Sequence, residues 1–229
     1  MIDPGATLGR LVAEQPARAE LFERLRFDYC CGGARTLAEA CEQHGLDAGT
    51  VCRMLDALEK VSVAEGRSEH RDWRRASIAE LCEHIVAAHH DGLRADLPRI
   101  DELLDTVVRV HGAHHHELHD LREAFRAMSA ELQAHMASEE RLLFPACRAA
   151  EADGTPVAEH LLDAHAREHE RTGAELAALR TLANDYNPAT ALCGTHRRLL
   201  EALERFELDL HEHIHEENNI LFERVRTLR

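Results

Sequence analysis

The chain has no run of apolar residues approaching the ~18 that a membrane-crossing helix needs. Its first eleven residues have neither the cationic start nor the apolar centre of an export signal. The expectation is a cytoplasmic protein with no membrane partner. Clustered cations are also missing: 27 Lys and Arg stand against 42 Asp and Glu, for a formal net charge of −15. Binding to a phosphate backbone or an anionic bilayer needs clustered Lys and Arg, so neither nucleic acid nor an acidic membrane surface is expected as a partner. No C-x-x-C pair occurs among the seven cysteines, at positions 30, 31, 41, 52, 82, 147 and 193, which removes zinc ribbons and thioredoxin-type sites. An odd number of cysteines without an export signal reads as free thiols rather than a disulfide framework. Runs of β-branched residues with strand periodicity are lacking too, which leaves helices.

What is abundant is histidine, with 18 residues in a chain of 229. The length suits one good-sized domain with a small appendage. Residues 1–61 read as a small helical domain. Thr7 caps a first helix, Pro16 opens a second that runs to about Phe27, and Thr36 caps a third that Gly45 ends. Between the second and third lies Asp28-Tyr29-Cys30-Cys31-Gly32-Gly33. Residues 62–75 are polar and non-periodic and read as a linker. From 76 to 229 the pattern is four long amphipathic helices. Ser77 with Glu80 is a capping box for the first, and Gly92 and Pro98 are expected to bend or break it. The turns are His111–His116, Asp153–Pro156 and Asn184–Pro188. The fold class expected is all-α, an up-down four-helix bundle behind the small helical domain.

Two stretches of this bundle repeat each other. His135-Met136-Ala137-Ser138-Glu139 leads to Leu143-Phe144, and His213-Ile214-His215-Glu216-Glu217 leads to Leu221-Phe222. A His and a Glu four apart on a helix lie about 40° apart around the axis and about 6 Å along it, so both heads point one way. A single such pair is ordinarily a surface contact worth about 0.2–0.5 kcal/mol. Two copies in register point instead to a dinuclear metal site built from the bundle interior. The other two helices then owe a His each, from His84, His89 and His90 on the first and His160, His165 and His169 on the third. His90 precedes His135 by 45 residues and His169 precedes His213 by 44, which favours His90 and His169. The pairings His89 with His169, or His90 with His165, remain open on spacing. Imidazoles and carboxylates suit first-row metals such as iron, though manganese or zinc would also be accepted. His211 and His215 are expected to be flanking and exposed. His111 is a candidate for the mouth of the site, and its neighbours His114, His115, His116 and His119 read as a hydrated turn. Cys30 and Cys31 are adjacent, so both sulfurs do not readily turn to one metal, but Gly32 and Gly33 would keep them accessible to redox chemistry or transient iron binding.

These motifs occur together in one family order: Asp28 to Gly33 with Thr36-Leu37, Asp72-Trp73-Arg74, His90-Asp91, His135-Met136 with Glu139-Glu140, and His213 to Phe222. Over essentially its whole length the chain resembles the iron–sulfur cluster repair proteins, which set a hemerythrin-like di-iron domain behind a domain with a Cys-Cys motif. The resemblance implies two non-haem iron ions, oxo- or hydroxo-bridged and carboxylate-bridged, on His90, His135, Glu139, His169, His213 and Glu217. It places the functional cysteine pair on Cys30 and Cys31 and an additional histidine on His111. One departure is Glu223 after Leu221-Phe222, where Pro145 follows Leu143-Phe144. The function implied is repair of iron–sulfur clusters damaged by nitric oxide or peroxide, by donation of iron, with nitric oxide or O2 as a small ligand. A di-iron nitric oxide reductase and a hemerythrin-like gas sensor or carrier are the rival readings, and a homodimer is left open.

Overall fold

The computed structural model describes residues 2–64 and 71–228, so that residues 65–70 of the stretch read as a linker lie outside the described residues. The described residues are helical throughout, with one isolated bridge between Thr7 and Thr36 and no strand. They divide into two compact units, Met1–Leu81 with Ile214–Arg229, and Cys82–His213.

In the first unit, α1 (Leu8–Glu14) starts on Thr7, whose side chain accepts from Arg10 N, and α2 is Arg18–Leu25. α3 (Leu37–Gln43) begins with a full capping box between Thr36 and Glu39, and α4 is Ala48–Ala64. Leu8, Phe22, Leu37 and Leu55 are fully buried at its centre. The loop between α2 and α3 is tied to α1 by backbone bonds: Leu8 N donates to Arg35 O and Gly9 N to Gly33 O, both 2.9 Å. Arg18 is buried and held by Glu59 and by the Leu11 carbonyl at 2.8 Å. The capping box at Ser77 and Glu80 forms as the sequence suggests, with Ser77 N 2.9 Å from Glu80 Oε2, and opens α5 (Ile78–Ile85). At the C-terminal end, Arg224 donates to the carbonyls of Trp73 (2.8 Å) and Ala76 (2.6 Å).

The second unit carries the long helices. α6 (Asp91–His111), α7 (Glu117–Ser138) and α9 (Glu159–Leu182) are joined by short turns, α8 (Phe144–Asp153) lies between α7 and α9, and α10 spans Gly194–Glu216. Apolar faces from α6, α7, α9 and α10 meet in one core, from Leu93, Met136 and Leu210 at one end to Val108, Leu118 and Leu199 at the other. Phe125 and Phe206 pack edge to face in its middle, 5.7 Å between ring centres. The turn after α9 uses three left-handed residues, Asn184, Asp185 and Tyr186. Asn and Asp tolerate that region, whereas a left-handed Tyr costs on the order of 1 kcal/mol. Tyr186 is held there by burial and by Arg180, whose guanidinium lies 5.4 Å over its ring. Arg180 is in turn bonded to the buried Glu207.

The expected break at Gly92 or Pro98 falls elsewhere. α6 runs unbroken through Pro98, which sits on its exposed side, and the irregularity lies just upstream, in a π turn over Val86–His90. Two more π turns follow α7 at Glu139–Leu143 and α10 at Glu217–Leu221, with α11 (Phe222–Thr227) after the last.

Candidate metal centre

Each π turn carries or ends on a residue expected to bind metal: His90 closes the first, Glu139 opens the second and Glu217 opens the third. A π turn inserts one residue into the helical register and is a frequent device at functional sites. Here it lets two consecutive residues act on one imidazole. Glu139 Oε2 lies 3.4 Å from His90 Nε2 while Glu140 Oε1 accepts from His90 Nδ1 at 2.7 Å.

Within the second unit, five of the expected residues converge at one end of the apolar core. His90 Nε2 faces His213 Nε2 at 3.1 Å, and His135 Nε2 faces His169 Nε2 at 3.0 Å. Glu139 divides itself between the two pairs. Its Oε1 is 2.8 Å from His135 Nε2 and 3.7 Å from His169 Nε2, while Oε2 takes the His90 side. His90, His169, His213 and Glu139 are all at or below 1% exposed. Burial alone would raise the Glu139 carboxyl. The imidazoles of His135, His169 and His90 outweigh it and hold the group well below the usual carboxylate range. Glu217, the sixth expected residue, is also fully buried, and follows His213 by four residues as Glu139 follows His135.

The donor set fits a bound cation. His90 donates its Nδ1 proton to Glu140, and His135 donates its own to Glu168 Oε2 at 2.6 Å. A neutral imidazole fixed this way has only a lone pair at Nε2. Each pair therefore offers at least one Nε2 lone pair, that of His90 in one and of His135 in the other, to an ion placed between its rings. Two nitrogens about 2.1 Å from one ion and about 90° apart are about 3 Å from each other, the spacing found in both pairs. Neither Glu139 oxygen has a hydrogen bond of good geometry among the described residues, as befits an oxygen placed for an ion.

Spacing alone left His89 and His165 as alternatives, and the structure gives them other contacts. His89 stacks on His213, 5.3 Å between ring centres, and bonds Asp209 through Nδ1 at 2.9 Å. His165 bonds the Leu161 carbonyl at 2.9 Å and packs 5.3 Å from the His135 ring. Both steady a neighbouring imidazole. His111 is not at the mouth of this cluster: 21 residues of α6 put it about 30 Å along the axis from His90, beside His115. His215 is buried against Tyr29, 5.6 Å between ring centres, where an exposed flanking position was expected. Cys30 and Cys31 lie in the first unit as thiols, not joined in a disulfide. Sequence reading did not assign roles to Glu140 and Glu168. The signal for them is weak, because one acidic residue beside a ligand looks like any solvated charge.

A helical bundle with His and Glu donors gathered at one end of its core is the arrangement of a hemerythrin-type protein, and residues 82–225 match the hemerythrin HHE cation binding domain. Residues 4–59 match a domain of unknown function, DUF542. The iron–sulfur cluster repair protein YtfE of Pectobacterium atrosepticum is 35% identical over 223 residues, covering 96% of each chain. Those of Dickeya chrysanthemi and Edwardsiella ictaluri are each 34% identical, covering 96% and 95% of both chains respectively. The chain belongs to this family of iron–sulfur cluster repair proteins. No helix among the described residues is long and apolar enough to cross a membrane.

Proposed function

We propose that this protein repairs iron–sulfur clusters damaged by nitrosative or oxidative stress in the cytoplasm, by donating iron held at His90, His135, Glu139, His169, His213 and Glu217. The observation that carries the reading is the division of one buried carboxylate, Glu139, between two imidazole pairs with 3.0 and 3.1 Å nitrogen spacings. It supports two ions bridged by Glu139. Glu217 enters as the second bridge through the repeat: it has the same offset from its His, opens the same kind of turn and is equally buried. When bound, an iron pair with open coordination positions supplies a place for an oxo or hydroxo bridge and a small ligand such as nitric oxide. Glu140 and Glu168 accept from Nδ1 of His90 and His135 and so orient both rings with Nε2 toward the site, and Phe144 stacked on His90 shields the ring from water. Cys30 and Cys31 are assigned the redox or transfer step. The division into a helical domain over 1–61, a linker over 62–75 and a bundle over 76–229 is part of the same proposal.

The test is reactivation of a nitrosylated cluster enzyme by purified, iron-loaded protein. Recovery of activity with matching loss of iron from the protein is expected. No recovery with the centre full overturns the reading. Nitrous oxide formed over many turnovers would replace it with a reductase, and reversible gas binding without iron loss would replace it with a carrier.

A second expectation concerns the carboxylates behind the ligands. Glu168→Gln leaves all six ligands in place but cannot take the His135 proton as a charged acceptor. Iron affinity should fall about 10–100-fold, read by competition with a chelator. An unchanged affinity would mean that Glu168, 45% exposed on its side chain, does not hold the His135 ring.

A further inference from the structure

The loop Asp28–Gly33 brings together three donors that sequence reasoning set apart. Cys30 Sγ lies 3.9 Å from Cys31 Sγ and 3.4 Å from Asp28 Oδ1, although adjacent cysteines were not expected to turn both sulfurs one way. All three donor atoms lie within 4.8 Å of one another. A tetrahedral ion bonded to sulfur at ~2.3 Å and to carboxylate oxygen at ~2.0–2.2 Å would hold the sulfurs ~3.8 Å apart and each sulfur ~3.5–3.6 Å from the oxygen. The Cys30–Cys31 and Cys30–Asp28 spacings agree with these to about 0.2 Å, the tolerance that a real site shows.

The backbone is built to keep this arrangement. Asp28 Oδ1 accepts from Cys31 N at 2.9 Å, which turns the carboxylate toward the thiols. A Cβ at Gly32 would lie 2.8 Å from Asp28 Oδ2 and 3.0 Å from the Asp28 carbonyl, so only glycine leaves room for the carboxylate there. The Cys30 carbonyl is pinned by Asn219 Nδ2 at 2.9 Å. Cys30 is buried, while Asp28 is exposed and Cys31 is half-buried. Such a site has three protein ligands, and the exposure of Asp28 and Cys31 lets an ion reach it from solvent. Burial raises the two other thiols of this unit, Cys41 and Cys52, and keeps them protonated.

We propose that Asp28, Cys30 and Cys31 form a separate, labile site for one thiophilic divalent cation, such as ferrous iron, cobalt or zinc. Two thiolates and a carboxylate suit this class of ion, and three ligands with an open fourth position allow rapid exchange. Each thiol gives up its proton to solvent as the ion binds, and no electron is transferred. That the site holds iron in transit to a damaged cluster rests on the repair reading above, but the site itself does not.

Cobalt is the probe, added to full-length protein already carrying its metal at the His/Glu centre. A difference spectrum should show thiolate-to-cobalt charge transfer saturating near one equivalent. Cys30→Ser and Cys31→Ser should each remove about half of the band, one sulfur bond apiece, and the double variant all of it. Asp28→Asn should keep the saturated band and weaken binding about tenfold or more. In wild-type protein, cobalt should also protect Cys30 and Cys31, but not Cys193, from alkylation; this measurement needs no variant to fold. The absence of a band or of protection overturns the site and leaves the repair reading standing, as does a band that survives the double variant. Cobalt binding here by a protein that reactivates no cluster enzyme overturns the repair reading and leaves the site standing.

Discussion

Glu139→Ala is expected to reduce bound metal from about two ions per chain to less than one, the largest single-residue effect in the molecule. Its carboxylate has 0% exposure and faces His90 with one oxygen and His135 and His169 with the other. Without it, each imidazole pair loses the carboxylate that faces it, and Glu217 alone is left to balance divalent or trivalent ions buried in a low-dielectric core. Elemental analysis measures the loss directly. Thermal melting gives an independent readout, because an ion that binds only the folded chain stabilises it by RT ln(1 + [L]/Kd), about 4 kcal/mol at a thousandfold excess over Kd. Wild-type protein should gain stability of that order on metal loading, and Glu139→Ala should gain less than about 1 kcal/mol on the same basis. His165→Ala is the control. It removes a ring that, among the described residues, bonds the Leu161 carbonyl and packs on His135, so it should keep both ions. Two ions retained in Glu139→Ala would sink the shared-carboxylate arrangement.

The convergence of His90, His135, Glu139, His169 and His213 was legible in the sequence for a physical reason. A bundle hairpin that supplies His on one helix and His-x-x-x-Glu on the next must repeat at near-constant spacing if both copies are to meet at one depth, and the 45- and 44-residue intervals record that constraint. The helices and their caps were legible too, because Thr7, Thr36 and Ser77 cap through local bonds three residues long. The π turns were not. Their distinguishing bond runs five residues back in place of four, and no residue type demands it, so the first bundle helix was expected to bend or break at Gly92 and Pro98 rather than at Val86–His90. Pro98 is tolerated on the exposed side of α6, where the ring meets solvent. Contacts far apart in the chain stayed invisible for another reason. His215 against Tyr29 joins residues nearly the whole chain apart, and a histidine between charged neighbours looks exposed until its partner is known. The convergence of Asp28 with both thiols depends on backbone dihedrals around two glycines, which composition does not fix.

The same loop gives a prediction in which two destabilising changes should partly cancel. Asn219 Nδ2 donates to the carbonyls of Cys30 (2.9 Å) and Tyr29 (3.2 Å), and its amide lies over α1 where Gly9 has no side chain. A Cβ at Gly9 would come within 2.2 Å of Asn219 Oδ1 and 2.5 Å of its Cγ, and meets no other group as closely. Gly9→Ala should therefore push the amide off the carbonyls and cost about 1–3 kcal/mol. Asn219→Ala should cost a similar amount, about 1–3 kcal/mol, by removing the closer of the Cys30 carbonyl's two amide donors, Asn218 Nδ2 lying at 3.4 Å, and the amide that bonds the Tyr29 carbonyl. In the Asn219→Ala background the two closest contacts are gone and only the Cβ of residue 219, 3.0 Å away, must give slightly, while alanine is a better helix residue than glycine by about 1 kcal/mol. Gly9→Ala should then be neutral or mildly stabilising, a coupling of about 1–3 kcal/mol. Gly33→Ala behaves differently. Its Cβ would meet Asn219 Oδ1 at 2.1 Å but also the Tyr29 carbonyl at 2.7 Å, and removing Asn219 relieves only the first clash. Urea unfolding followed by the fluorescence of Trp73, the one tryptophan, measures all five proteins. If Gly9→Ala and Asn219→Ala simply add, Asn219 does not hold the cysteine loop as described. If they couple, Asn219→Ala should also raise the alkylation rate of Cys30, because the carbonyl that fixes this buried thiol has lost its closer anchor.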